Sequence, residues 1–325
     1  MKRLLSVLTV FLPLLAVAQF APSVGQLGTT AIHADSSIFT NWANGCIISR
    51  GPQNISAPAI GVTTVGDSLS AIGKAGENGV VSLGDGGFAI LTFSRSITNG
   101  EGWDFAIFEN SFSDDFLELA FVEVSSDGIN YVRFPATSNT QDTLQVDGFG
   151  VVDATKMNNL AGKYRATYGT PFDLEELISS PLLDINAITH IKIIDVIGCI
   201  NPVYATLDHF GNIINEPWPT QFPSGGFDLD AVGVIHQAPL SVSETQITNH
   251  VEIYPNPAKN YIQIKCNNQR ISRVKIVSTA GLTLWDEQNQ ENFKKIDVSQ
   301  FEKGVYIVSV EINGIFVNRK MIIAY

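Results

Sequence analysis

The stretch "GGFDLDAVGVI", residues 225–235, alternates apolar and polar positions with the period of two expected of a β-strand. Leu229, Ala231 and Val234 mark its core side, yet Asp228 and Asp230 stand two positions apart within it. Residues i and i+2 of a strand point to one face. Two carboxylates held side by side repel when both are charged, so that face is either wet or holds something positive. The same period recurs in "GFAILTFS" (87–94), "DFAIFEN" (104–110), "ELAFVEVSS" (118–126), "INYVRF" (129–134) and "HIKIIDVI" (190–197). Short alternating runs bounded by Gly, Asn, Asp and Pro predict an all-β sandwich or barrel. Helical signal is confined to "PFDLEELI" (171–178), where Asp173 as N-cap and Glu176 three residues later form a capping-box pattern.

The chain starts with "MKRLLSVLTVFLPLLAVA" (1–18), a basic start, an apolar run broken by Pro13 and a small-residue end at Ala16 and Ala18. This is the layout of a secretory signal peptide. The run is shorter than the roughly 20 apolar residues that span a bilayer, so the mature chain is expected to be exported with no transmembrane segment. Residues 19–240 hold 24 Asp and Glu against 8 Lys and Arg, a net of −16, whereas residues 241–325 hold 8 against 10, a net of +2. That contrast separates an acidic domain at 19–238 from a second domain at 249–325, with the polar "QAPLSVSETQITNH" region supplying a linker at 239–248. The acidic balance argues against nucleic acid and anionic membranes as partners. It suits divalent cations or neutral ligands such as sugars.

Between two predicted strands lies "CINPVYATLDHFGNIINEPWPTQFPSGG" (199–226), rich in Pro, Asn and Gly but carrying Tyr204, Phe210, Trp218 and Phe222. Long irregular loops inside compact domains are commonly functional, and aromatics argue against plain disorder. Trp218, between two prolines, is the leading ligand-facing residue, with Phe222, Tyr204, Tyr168 and Arg165 as further binding candidates. Arg165 can serve a ligand acid or one of the nearby carboxylates. Cys46 and Cys199, both in Gly-flanked segments, either pair as a disulfide or stand as separate thiols, and Cys266 reads as a half-buried strand thiol.

No GxSxG elbow, HExxH pair or metal-spaced Cys/His set occurs, and the five histidines are scattered. Asp208 and His209 are neighbours in the long loop. Glu118 and Glu123 fall on opposite faces of one strand, which weakens them as a glycosidase pair. Asp228 and Asp230 are better placed for paired carboxylates or a shared ion. Calcium takes six to eight oxygens, and Asp228 and Asp230 with Asp104, Glu109 and Asn110 are the expected ligands; the competing reading is acids that are solvated or bonded to backbone amides. Within "WDFAIFEN" Asp104 and Asn110 share a face and Glu109 takes the other. Asp85 and Asp127 read as turn residues bonded to their own backbone.

Residues 249–325 read as seven short strands, "VEIYP", "YIQIKC", "RVKIVS", "LTLWDE", "KIDVS", "GVYIVSVEI" and "NRKMIIAY", the make-up of a small immunoglobulin-like sandwich. The run "VEIYPNPAKNYIQI", then "VKIVSTAGLTLW", "IDVSQFEKGVYIVSVEING" and the closing "RKMIIAY", resembles the type A C-terminal sorting domain of the type IX secretion system of Bacteroidetes. The matching positions include Tyr254, Pro255, Asn256, Pro257, Gly304, Tyr306 and Lys320. The resemblance implies that the type IX machinery reads this domain and delivers the chain to the cell surface or the medium. Pro255 and Pro257 stiffen the entry to the first strand, Asn256 suits a turn, and Gly304 permits a turn before its strand.

The acidic domain is similar, through "VEVSSDGINYVRF" (122–134), "HIKIIDV" and "FDLDAV", to discoidin-like, galactose-binding-like jelly rolls of bacterial cell-surface proteins. That resemblance implies a jelly-roll β-sandwich that binds a glycan or another surface ligand, with structural calcium and without catalysis. The expected function is a secreted or surface glycan-binding protein. The alternatives are a polysaccharide hydrolase using the Asp228/Asp230 region and a nutrient-capture protein, for a corrinoid for example, or an adhesin.

Overall fold

A computed structural model describes residues 20–239, 251–266, 270–288, 291–312 and 315–324. The leader expected at 1–18 and all but the first residue of the expected linker lie outside the described residues. The chain divides into two compact units, Met1–Pro239 and Leu240–Tyr325. Among the described residues, no helix is long and apolar enough to cross a membrane.

The first unit contains β1 (Ile32–His33), β2 (Asn41–Trp42), β3 (Gly45–Ser49), β4 (Val81–Ser82), β5 (Phe88–Ile97), β6 (Phe105–Glu109), β7 (Ala120–Ser125), β8 (Val132–Arg133), β9 (Thr137–Ser138), β10 (Met157–Asn158), β11 (Tyr168–Phe172), β12 (Ile188–Asp195) and β13 (Asp228–Val234). One sheet has the order β1-β11-β6-β13-β2 with β4 also on β13, and the other the order β3-β5-β12-β7-β8. Number β2, β5, β6, β7, β8, β11, β12 and β13 in turn. The first sheet then reads first, eighth, third, sixth and the second reads second, seventh, fourth, fifth. These interlocked Greek keys are a jelly roll. The single predicted helical segment is a 3₁₀ turn, Leu174–Leu177, capped by Asp173 through the Glu175 amide. Glu176 does not close the capping box; it accepts from Asn159 instead.

The inner core lies between the sheets, with Phe105, Ile107, Phe172, Leu229, Val232 and Val234 facing Leu91, Val122, Val124, Ile191 and Ile193. A second apolar cluster of Ala106, Phe108 and Ala231, covered by Phe39 and Trp42, buries the outer face of the first sheet. Every residue of β13 is therefore buried, which simple alternation does not reveal. A register shift between Leu229 and Ala231 against β6 adds one residue at Asp230. This bulge breaks the period of two. Leu229 and Val234 face the inner core, as expected, but Ala231 packs on the outer cluster.

Of the two readings left open for Cys46 and Cys199, the structure shows separate thiols: neither is bridged. Cys46 sits in β3 level with Leu91 and hence with Ile191 of β12, while Cys199 lies beyond the end of that strand at Asp195. Strand register thus holds the two thiols apart.

In the second unit, β14 (Val251–Tyr254), β15 (Tyr261–Cys266) and β18 (Phe293–Asp297) form one sheet, and β17 (Thr283–Gln288), β16 (Arg273–Ser278), β19 (Gly304–Ile312) and β20 (Ile315–Ile323) form the other. Tyr306, Val308, Val310 and Ile312 alternate into the core between them. Gly304 is the first residue of β19, paired with Ile323, so the turn ends before it. The Tyr306 hydroxyl donates to the Glu302 carbonyl at 2.7 Å. Asn256 of the YPNP run acts as a latch rather than only a turn residue: its Nδ2 donates to the Lys320 carbonyl at 2.8 Å and its Oδ1 accepts from the Ile322 amide at 2.9 Å. These bonds bind the domain's entry segment to its last strand. Asn256→Ala is expected to lower the stability of this unit by about 1–2 kcal/mol, read as an earlier urea midpoint of the second unit; an unshifted midpoint refutes the latch.

Candidate functional site

The ends of β6, β12 and β13 and the loops beside them gather Asp85, Glu109, Glu118, Asp195, Glu216 and Asp228, none more than 7% exposed. Among the described residues, none of the six reaches a Lys, Arg or His within ion-pair distance. Five are held by N–H or O–H donors. Asp195 accepts from the amides of Phe227 at 2.7 Å and Gly86 at 2.9 Å. Glu216 accepts from the Leu119 amide at 2.6 Å, and Glu109 from the Ser111 amide at 2.7 Å. Asp85 accepts from the Ile55 amide at 2.7 Å and from Trp218 Nε1 at 3.1 Å. Asp228 accepts from the Ser82 hydroxyl. Glu118 has no such donor among the described residues.

Burial is the main cause that raises the pKa of all six, because a low-dielectric interior disfavours the charged form. For Glu109 and Glu118, both well above the ordinary range, neighbouring carboxylates add to it: Asp228 foremost for Glu109, and Glu109 foremost for Glu118. Asp228 is pushed up to about 6.

Glu118 and Asp228 line a cleft of about 340 Å³, together with Asn110, Ser111, Thr220 and the rings of Phe112, Phe116, Phe149 and Phe222. Ring centroids run Phe112–Phe116 at 4.6 Å, Phe116–Phe149 at 6.4 Å and Phe149–Phe222 at 5.6 Å. Phe112 and Phe149 are 74% and 70% exposed, an unusual state for such apolar side chains. Local bonds present them to solvent. The Ser111 hydroxyl donates to the carbonyls of Phe116 and Ser113, closing the loop after β6. Asp147 accepts from the Phe149 amide at 3.1 Å and turns that ring outward.

The sequence-predicted residues separate around this cleft. Phe222, Asn110 and Asp228 line it, and Glu109 lies beside Asp228. Trp218 is not among the residues lining this cleft; it is half-buried, with its indole N–H donated to Asp85. Tyr204 is half-buried in the turn where its amide donates to Asn201. Arg165 bonds both oxygens of Asp114, at 2.7 and 2.6 Å, and lies over the Tyr168 ring at 5.1 Å. Neither Arg165 nor Tyr168 lines the cleft. Asp85 is no local turn residue but a member of the cluster, whereas Asp127 does cap its own hairpin through the amides of Ile129 and Asn130. Asp208 is fully engaged by Ser138, Phe210 and Asn212, so it forms no pair with His209.

The five expected calcium ligands do not assemble. Asp104 begins at the opposite end of β6, bonded to the amides of Gly100 and Leu174 and to His236 Nδ1 at 2.8 Å. Asp230 turns both oxygens to the Gly76 amide at 3.0 Å. Among the described residues, no three His, Cys, Asp or Glu group closely enough to hold a metal ion. Sequence reasoning passed over Phe112 and Phe149, and it met Glu118 only as half of a rejected pair with Glu123. The structure places Glu123 half-buried in β7, paired with Arg133 at 2.8 Å. Isolated phenylalanines in the polar stretches "NSFSDDF" and "DGFG" were the available signal.

Comparison with known proteins places the second unit. Residues 252–324 match the Secretion system C-terminal sorting domain, the type IX signal, so the protein is delivered to the cell surface or outside the cell. A stretch of 75 residues is 33% identical to the ulvan lyase NLR42 of Nonlabens ulvanivorans, covering 23% of this chain and 14% of the lyase. The chain thus spans about a seventh of that relative's length. Among solved structures, PorZ, an essential bacterial surface component of the type IX secretion system of Porphyromonas gingivalis, aligns over 89% of this chain and 40% of its own at 12% identity and a TM-score of 0.23. The BSP domain of a biofilm-associated protein aligns over 89% and 53% at 11% identity and a TM-score of 0.21. At those scores the likenesses carry no argument about the first unit.

The buried acids give the first unit a distinctive pH response. Asp228 and Asp230 titrate at about 6 in the folded chain against an ordinary 3.8. The folded state therefore keeps protons that the unfolded state sheds. Their stabilisation is complete below 3.8 and is withdrawn as pH rises through about 6. The effect is on the order of 3 kcal/mol for each carboxylate. Fluorescence melts, with three of the four tryptophans in this unit, are expected to show a lower Tm at pH 8 than at pH 5.5. Asp228→Asn with Asp230→Asn should raise Tm at pH 8 and flatten the slope; an unchanged slope overturns the account.

Proposed function

We propose that the acidic jelly-roll unit is a non-catalytic binding module for an extracellular glycan, carried out of the cell by its sorting domain. The observation that supports this reading is the run of four phenylalanines along a cleft with two carboxylates on its wall. Sugar rings offer C–H faces that pack on aromatic faces and hydroxyls that donate to carboxylates, and binding clefts combine such surfaces. Most acids around the cleft are engaged by backbone amides, which suits a rigid wall better than proton transfer. Phe112 and Phe149 are exposed, so replacing both by Ala removes stacking surface without emptying the core. The double variant is expected to weaken glycan retention in affinity electrophoresis by about tenfold or more, with Tm unchanged. Equal retention defeats the assignment of this cleft.

A second reading has one observation in its favour. Glu118 and Asp228 line the same cleft, and glycoside hydrolysis uses two carboxylates. Asp230 is outside the cleft lining, with both oxygens turned to the Gly76 amide. Hydrolysis predicts product release from a polysaccharide panel that Asp228→Asn abolishes while binding persists; a panel without product leaves the binding reading in place.

A further inference from the structure

Glu118 is the exception within the carboxylate cluster. It is 7% exposed and lies on the cleft wall, yet among the described residues it meets neither a hydrogen-bond donor nor a cation. Its surroundings are negative, with Glu109, Asp228, Asp195 and Asp85 all acting on it. A buried carboxylate without a partner is costly. Burial and its negative neighbours favour the protonated form of Glu118, and a ligand that brings positive charge and donors shifts it to the ionised form.

The chemistry of the wall selects which cation. Calcium needs six to eight oxygens, and the described residues group no three possible metal ligands, while phenylalanine rings occupy much of the lining. An ammonium group needs less: it supplies one charge and three donors to carboxylates, and aromatic faces attract cations. A uronate or sulfated sugar would instead carry like charge into a unit whose net is −16 over residues 19–240.

We propose that the cleft selects glycans bearing a protonated amine, with the ammonium docked at Glu118 and Asp228 and the sugar face packed on Phe149. This rests on the glycan-binding reading above and adds the charge class of the ligand. Calorimetric titration of the full chain at pH 6 would compare glucosamine oligomers, N-acetylglucosamine oligomers, galacturonate oligomers, cyclohexylamine and calcium chloride. Glucosamine oligomers are expected to bind at least about tenfold more tightly than the N-acetylated ones, with no binding of galacturonate. Glu118→Gln, which loses no hydrogen bond seen in the structure, should erase that preference without lowering Tm. Asp228→Asn should weaken the same ligand and keeps the test decisive if the first variant fails to fold.

Equal affinity for both hexosamine oligomers overturns the amine preference and leaves the glycan reading standing. Glu118-dependent binding of cyclohexylamine with no sugar bound overturns the glycan reading and upholds amine recognition. Glu118-dependent binding of calcium alone assigns the pocket to a metal and overturns the proposal, and so does the absence of any binding.

Discussion

Desolvated negative charge is the constraint on which the first unit is organised. Six carboxylates converge at the ends of β6, β12 and β13. Left alone they would repel one another in a medium that solvates them poorly. Backbone donors offset much of that penalty: Asp195 draws in the amides of Gly86 and Phe227, Glu216 that of Leu119, Glu109 that of Ser111, and Asp85 that of Ile55. Together these bonds tie the loops after β3, β4, β6 and β12 to the strands or to one another. Of these clamps only Glu109 belongs to the set read in sequence as calcium ligands; Asp195, through the Phe227 amide, and Glu216, through that of Leu119, hold the long loop between β12 and β13 to the sandwich.

That role shapes the cleft. Once the loops are fixed, Phe112, Phe149 and Phe222 come together from three separate chain segments, and Glu118 remains the one carboxylate of the cluster without a donor among the described residues. Aromatic rings and one carboxyl group without a donor among the described residues form the surface on which the proposed recognition rests. Trp218 lies outside the cleft lining, and its indole N–H holds Asp85.

The sorting unit follows different physics. It carries little net charge and relies on an alternating core, with Tyr306, Val308, Val310 and Ile312 inward on β19. Its YPNP segment is joined to the last strand by the Asn256 side chain. Export is thus carried by one folding unit, near neutral and regular, and the recognition proposed above would belong to the other, acidic and rich in loops.

Much of this was legible in residues alone. The period of two predicted the strands, the charge contrast separated the two units, and the order of motifs from Tyr254 to Lys320 identified the sorting domain, because each depends on local spacing. The jelly-roll hairpin at Asp127 and Gly128 was equally local, with Gly128 at a φ of 75°. What only the tertiary structure decided depends on contacts between distant segments. The bulge at Asp230 moved Ala231 to the outer core and turned Asp230 toward Gly76. Antiparallel pairing carried Asp104 to the far end of β6 from Asp228, and strand register kept Cys46 from Cys199. Local periodicity reports which residues can share a face, but pairing between strands far apart in sequence determines which carboxylates, rings and thiols meet.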